Sequence, residues 1–467
     1  MGQFLSIIDL FWLLALPIGF NVWARVQVEK NLASKPHYRF FRKALNYRLL
    51  MGMAFIGIYL FVYGGGDTIN YWLGGNAMKN LLLQSPGRYL EMMYGEPSWS
   101  SYWNNFNADT GYPPTWLYRR LENVVVIRFA SIPLLFTGGS LVGGNMIFAF
   151  VSFKAIWKLY EMFIYYFPKH EKLLSWSILF FPSVAFWGTG IMKDTLTMIG
   201  MGYFLYIFYR RFILRNISFL PFLFWLLVYG YILYLVKPYV LIASAPALLI
   251  WLNIETIRRI KSVLIRAVVL PLGLITSILL GIVAYLNSGE VFGDYAPDTI
   301  LVRAAITQQD LVREEAYGEN NFDIGAFDPT LGGVLAKAPV AISAGLYRPF
   351  LWESGNIVML FSGLENTFLL LISIFLLFKL SPIGVFRRIQ AYPLFFFCFI
   401  FSLLMAFSIG LTTANFGALV RYKIPLLPFY ASMVMLMYRL EGSYKAEQKK
   451  VKEIKAEEAR KAEEAEV

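Results

Sequence analysis

The residues best suited to chemistry form a short polar cluster, Gly64-Gly65-Gly66-Asp67-Thr68, at the end of the apolar run Leu49 to Tyr63. A carboxylate at a membrane mouth is costly unless it serves a pathway or a site. Asp67 has two readings. As a helix cap, its side chain would accept from backbone N–H groups of a helix beginning near Thr68. As a functional group, it would be a general base or a metal ligand, with the three glycines giving a substrate close access to the backbone.

Four further segments place charge at comparable positions. The run Phe181 to Gly190, followed by Ile191-Met192-Lys193-Asp194, breaks at glycines and ends in a Lys-Asp pair. Lys193 at a helix start is suited to phosphate, because helix N-termini attract anions; equally, Lys193 and Asp194 are ordinary interfacial residues with Trp187 in an aromatic belt. Asn415 to Pro425 carries Arg421 and Lys423. A planar guanidinium offers bidentate contact to phosphate, and the plain alternative is an Arg snorkelling near a helix end. Leu346 to Glu353 presents Arg348 and Glu353 beside aromatic rings, an arrangement that holds sugar rings and that membrane-belt aromatics also produce. Lys237, next to Pro238, and Arg128 add two more cations.

Composition sets the elements that must position these groups. The chain has 467 residues, 58% hydrophobic, 18% aromatic and only 15% charged, which is the balance of an integral membrane protein. Apolar stretches of roughly 15 to 25 residues recur along it, and backbone groups in lipid must be satisfied internally, so an all-α polytopic transmembrane bundle is predicted. The spans are Phe4 to Ala24, Leu49 to Tyr63, Leu141 to Phe163, Leu173 to Gly188, Thr195 to Tyr209, Phe219 to Leu235, Val240 to Asn253, Val263 to Asn287, Ile357 to Leu380, Pro393 to Leu411 and Ile424 to Tyr438. A further stretch, Val124 to Thr137, reads as a re-entrant or interfacial helix or a full crossing. Phe4 to Ala24 lacks a basic start and carries Asp9, so it reads as a retained helix rather than a secretory signal.

Charge decides the orientation. The segments Arg25 to Arg48, Arg210 to Arg215, Glu255 to Arg266, Lys379 to Arg388 and the tail after Arg439 are rich in Lys and Arg and belong in the cytoplasm. About eleven crossings put all of them inside, with the N-terminus external and the C-terminus cytoplasmic. A bundle over residues 1–443 then carries two long external loops, 64–123 and 288–352, and residues 444–467 form a charged helical tail. In the second loop Asp298 caps a helix through about Glu315, and Val334 to Leu351 is a surface helix.

The same bookkeeping brings Asp67, Lys193, Lys237, Arg348 and Arg421 to one outer face. A carboxylate surrounded by cations suits an anionic, phosphate-bearing substrate, and a lipid diphosphate fits a pocket reached from the bilayer. The Tyr, Trp and Asn content of Trp99 to Trp116 suits a carbohydrate acceptor or product. Nucleic acid is not indicated by the net charge of +12, because the basic residues are spread over short loops. One cysteine, Cys398, and two histidines, His37 and His170, leave no His/Cys metal site, although carboxylates could hold a hard divalent cation.

With these segments in view, Gly65 to Thr68, Phe181 to Gly190 with Lys193-Asp194, and Asn415 to Pro425, the chain resembles bacterial multi-pass membrane enzymes that build surface glycans: the C-type glycosyltransferase superfamily and the O-antigen and capsule polymerases. The resemblance implies a polyprenyl-phosphate-linked sugar donor, a glycan or lipid-linked acceptor, and a place in the bacterial cytoplasmic membrane. It makes Asp67 the catalytic acidic residue of an external loop and Arg421 the best candidate for holding the lipid phosphate. One departure is that the acidic loop follows the second apolar segment rather than the first. A transporter or flippase for lipid-linked glycans, and a non-catalytic component of an envelope export machine, are the rival readings.

Overall fold

The computed structural model describes residues 5–258, 260, 262–286, 296, 299–311 and 321–440. The tail 444–467, Asp298 and Glu315 lie outside them. The described residues are helical, without strands; one isolated antiparallel bridge pairs Asn321 with Asn415.

Several of these helices are long and apolar enough to cross a membrane. They are Ile7–Asn31, Pro36–Val62, Phe219–Val236, Pro238–Ile257, Ile357–Ala391 and Pro393–Thr412, six in all, or seven when the bent pair Leu121–Phe136 and Leu141–Tyr166 counts as one span. The two members of that pair meet at 111°. Val263–Leu286 forms a further 24-residue helix. The Ile357–Ala391 helix is kinked at Ser381 (φ 59°), just before Pro382, so its first part matches the predicted span ending at Leu380.

Two predicted spans are broken. Leu173 to Gly188 consists of a short α-helix Glu171–Leu174, a π-helical turn Ser175–Leu179 and a second short helix Pro182–Trp187. Ile424 to Tyr438 begins with turns after the short helix Phe416–Tyr422, and helix resumes over 427–440. The first predicted loop is mostly helical, with Asp67–Gln84, Pro86–Tyr94 and Trp99–Asn105. In the second, the expected helix from Val334 to Leu351 is split into Leu331–Ala336 and Ala338–Tyr347.

Close helix packing places the site-bearing elements. The Asp67–Gln84 helix lies against Leu121–Phe136 through Gly74 and Gly75, where an added Cβ would stand 2.8 Å from Ile127 and from Leu134. Small residues permit that approach, and they do the same where Gly345 and Gly410 join the Ala338–Tyr347 and Pro393–Thr412 helices.

The broken segment is clamped at both ends. Glu365 Oε1 accepts from the Ser183 N–H at 2.8 Å, at the start of the Pro182–Trp187 helix. At its other end, buried Arg48 donates to the carbonyls of Val184 (3.0 Å) and Gly188 (2.8 Å), and to the Ser152 hydroxyl (2.7 Å). The carboxyl at the N-terminus and the guanidinium at the C-terminus both satisfy terminal backbone groups, and the guanidinium also complements the helix dipole. Arg48, the last residue of a segment read from sequence as cytoplasmic, is thus a buried group that holds the segment leading to Lys193 and Asp194.

Candidate functional site

Asp67 occupies the first turn of the Asp67–Gln84 helix, and Gly66, not Asp67, is the cap residue. Gly64, Gly65 and Gly66 have φ of 65°, 145° and 113°, a run of backbone conformations that side-chain-bearing residues resist. The glycines thus serve to end the preceding helix sharply and start the next one with a carboxylate at its positive end. That carboxylate is partly exposed and is engaged by a side chain from the far end of the chain: Arg421 Nη1 lies 2.9 Å from Asp67 Oδ2.

Arg421 sits on the Phe416–Tyr422 helix, which Asn415 caps by accepting from the Ala418 N–H at 3.1 Å. Its Nε lies 3.3 Å from Asp194 Oδ2, and its guanidinium lies 5.7 Å from the centre of the Trp187 ring. Asp194 Oδ1 in turn meets Lys237 Nζ at 2.5 Å. Lys237 stands at the junction of the Phe219–Val236 and Pro238–Ile257 helices, its ammonium 4.9 Å from the Tyr422 ring centre. Four residues remote in sequence therefore form one relay of alternating charge: Lys237, Asp194, Arg421, Asp67. Asp194 and Lys237 are buried, whereas Arg421 and Asp67 are its accessible end.

These corner residues are electrostatically coupled. Burial by itself would raise the Asp194 carboxyl, but Lys237 and Arg421 hold it below the ordinary carboxylate value. Burial would lower Arg421, yet Asp194, followed by Tyr59 and Asp67, keeps it well above the usual arginine value. Asp194 and Arg421 thus hold each other in their ionised forms. Lys193 begins the Lys193–Phe208 helix beside it; burial pushes its ammonium down, and among the described residues no carboxylate stands within ion-pair distance of it. Two cations balance two carboxylates in the relay, and Lys193 is a further cationic group beside it, on which Glu122 acts more strongly than any relay residue does.

A cavity of about 390 Å³ opens at the accessible end, lined by Tyr59, Tyr63, the three glycines, Asp67 and Arg421. Asp67 and Arg421 therefore share one cavity, with a carboxylate able to take a proton and a guanidinium able to receive an oxyanion. Tyr59 and Tyr63 were not singled out from sequence. Their spacing of four at the end of an apolar run was the available signal.

The remaining sequence candidates lie elsewhere. Arg348 and Glu353 pair with each other at 3.3 Å and line a separate cavity of about 460 Å³. The Phe416–Tyr422 helix joins the two: Phe416 lines one and Arg421 the other. Lys423 is fully buried and donates to the Arg348 carbonyl and to Asn366 Oδ1, both at 2.7 Å, so it fixes the turn that bears Arg348 and does not reach the Asp67 cavity. Arg128 is also buried; it donates to the carbonyls of Met92 (2.9 Å) and Gly95, securing the end of the Pro86–Tyr94 helix. Its placement in the substrate site is corrected accordingly, because its donors are committed to backbone.

Among the described residues no group of three or more His, Cys, Asp or Glu is placed to hold a metal ion. No family model, curated protein or solved structure matches the chain.

Proposed function

We propose that this membrane protein is a glycosyltransferase that moves a sugar from a polyprenyl-phosphate-linked donor to a glycan or lipid-linked acceptor at the outer face of the bacterial cytoplasmic membrane. The observation that carries this reading is the 2.9 Å pairing of Asp67 and Arg421 within one cavity, backed by a buried Asp194–Lys237 pair. In the proposed reaction Asp67 takes the proton of the acceptor hydroxyl as that oxygen bonds to the sugar's anomeric carbon. The bond from that carbon to the phosphate oxygen breaks, and its electron pair leaves with the phosphate. Arg421 and Lys193 stabilise the charge that develops there, and an interaction that strengthens as charge appears lowers the barrier. Asp194 and Lys237 position Arg421 rather than touching substrate. The arrangement of about eleven crossings, with an external N-terminus and a cytoplasmic C-terminus, belongs to the same proposal and puts the cavity outside.

The test is complementation of a deletion strain with Asp67→Asn. The variant is expected to reach normal protein levels and to lose a surface glycan, seen as a changed ladder on a gel. Full restoration of the glycan would remove Asp67 from catalysis.

A second reading, translocation of a lipid-linked glycan, is favoured by one observation: ionisable groups away from the cavity, Arg48 and Lys423, are also buried. It expects Asp67→Asn to spare transfer activity in right-side-out vesicles supplied with donor and acceptor on the accessible outer face, while stopping the movement of labelled donor across the bilayer.

A further inference from the structure

The cavity that holds Arg348 and Glu353 differs chemically from the Asp67 cavity. Among the described residues its ionic groups are Arg348, Glu353 and Asp323, one cation against two carboxylates, which disfavours an anionic ligand. Its walls are fixed. The Arg348 guanidinium lies 5.0 Å from the Phe322 ring centre and pairs with Glu353, whose second oxygen accepts from the Phe350 N–H at 2.8 Å. Asp323 Oδ1 accepts from Gln308 Nε2 at 3.1 Å and from the Gly325 N–H at 2.7 Å.

Trp352 supplies the apolar face. It stacks on Phe350 with ring centres 4.9 Å apart and planes 19° apart, yet 80% of it is exposed, so its other face is open. Asn321, which also lines the cavity, accepts at Oδ1 from Asn415 Nδ2 at 3.0 Å, while its Nδ2 is buried with no hydrogen-bond partner among the described residues. A buried donor without an acceptor is a cost that a ligand oxygen could relieve.

A saccharide ring combines what these walls offer. Its C–H face packs on a flat aromatic surface, and its hydroxyl edge both donates to carboxylates and accepts from amide and guanidinium N–H groups. From these observations we infer that the Trp352 cavity is a saccharide-binding subsite selective for neutral or amine-bearing sugars, separate from the cavity that receives phosphate. Its identity as the acceptor subsite rests on the transferase reading; its sugar chemistry does not.

The position of the subsite agrees with that role. Phe416, which lines this cavity, and Arg421, which lines the other, are five residues apart on one helix, a rise of about 7.5 Å. A belt aromatic facing lipid is the alternative for Trp352, and it predicts no saccharide binding.

The experiment is equilibrium binding to the full chain purified in detergent micelles, followed by saturation-transfer NMR. The probes are maltotriose, a trimer of N-acetylglucosamine, a glucosamine trimer, trigalacturonate and inorganic pyrophosphate. A neutral or amine-bearing trimer is expected to bind, not to be displaced by pyrophosphate, and to lose about tenfold in affinity in Trp352→Ala while Trp352→Phe retains most of it. Asp323→Asn with Glu353→Gln is expected to improve relative binding of trigalacturonate. The proposal is overturned if no trimer binds up to about 10 mM, if Trp352→Ala binds as the parent does, or if the parent prefers trigalacturonate. Asp67→Asn is expected to leave saccharide binding in place, so failure of this subsite and failure of the transferase reading give different results.

Discussion

Arg421 touches two carboxylates that are 127 residues apart in the chain, Asp67 through Nη1 at 2.9 Å and Asp194 through Nε at 3.3 Å. Its guanidinium uses two edges for two different tasks: one faces a cavity, the other is locked to a buried pair. A fork of fixed geometry can do this and a point charge cannot.

Arg421→Lys is therefore expected to behave as a severe variant despite keeping its charge. A lysine can pair with Asp67 or with Asp194 but does not span both. Glycan synthesis by membranes carrying this variant is expected to fall by about a hundredfold or more, the range seen when a positioned oxyanion-stabilising donor is removed. Turnover near the parent value would show that charge alone suffices.

Stability should divide the relay differently from activity. Asp194→Asn leaves Lys237 and Arg421 buried around a neutral amide, and breaking a buried pair from one side costs about 3–5 kcal/mol. The partly exposed Asp67 is screened, so Asp67→Asn is expected to cost under about 1 kcal/mol. Thermal unfolding in detergent distinguishes them: a large drop in Tm for Asp194→Asn, a small one for Asp67→Asn. Equal drops would mean that the two carboxylates are equivalent.

Acid sensitivity follows from the same pair. The Asp194 carboxyl is depressed below its ordinary value of 3.8, so the unfolded chain binds its proton before the folded chain does. Stability from Asp194 is fully present above the unfolded value and declines as pH falls from about 4 through the lower folded value. A pH series of unfolding midpoints should show that decline in the parent and a shallower one in Asp194→Asn. Identical slopes would show that Asp194 does not titrate differently on folding.

Lys193 is expected to affect affinity more than stability. Lys193→Gln removes the positive charge beside the relay that no described carboxylate pairs with. Binding of a polyprenyl phosphate in nanodiscs should weaken by about fivefold to tenfold, with the unfolding midpoint little changed, since an interfacial cation is worth about 1 kcal/mol toward an anionic lipid group. Unchanged affinity would remove Lys193 from the phosphate site.

Arg48→Met tests the clamp on the broken segment. The substitution keeps an apolar stem but leaves the Gly188 carbonyl without its side-chain donor, at about 1–3 kcal/mol, while the Val184 carbonyl keeps the Gly188 N–H. Greater proteolysis between residues 181 and 194 is the expected readout, and an unaltered digestion pattern would assign Arg48 no positioning role.

Much of the site was legible in the sequence because it is made of charges in an apolar chain, where each one stands out against a strong background cost. Asp67 after three glycines, Asp194, Lys237 and Arg421 were all visible in this way. Which charges meet was not. Arg348, Lys423 and Arg128 looked alike on paper, and only their surroundings separated them: an ion pair in another cavity, a buried ammonium holding a turn, and a guanidinium bonded to carbonyls. For Arg48 a positive charge beside an apolar run counts toward orientation wherever its side chain goes, and only the structure shows its donors bonded to Val184, Gly188 and Ser152.

The sequence by itself determined a helical membrane protein, since apolar runs of this length leave the backbone no partner but itself. It also determined where the helices are interrupted by glycine, as at Gly64 to Gly66, where φ is positive. The tertiary structure alone decided that Leu173 to Gly188 is broken, that Glu365 and Arg48 clamp its helical piece, and that residues 67, 194, 237 and 421 form one relay. Hydropathy is a sum over a window and is blind to partners. A buried charge is stable only against a particular opposite group, and that group is chosen by packing between helices distant in sequence.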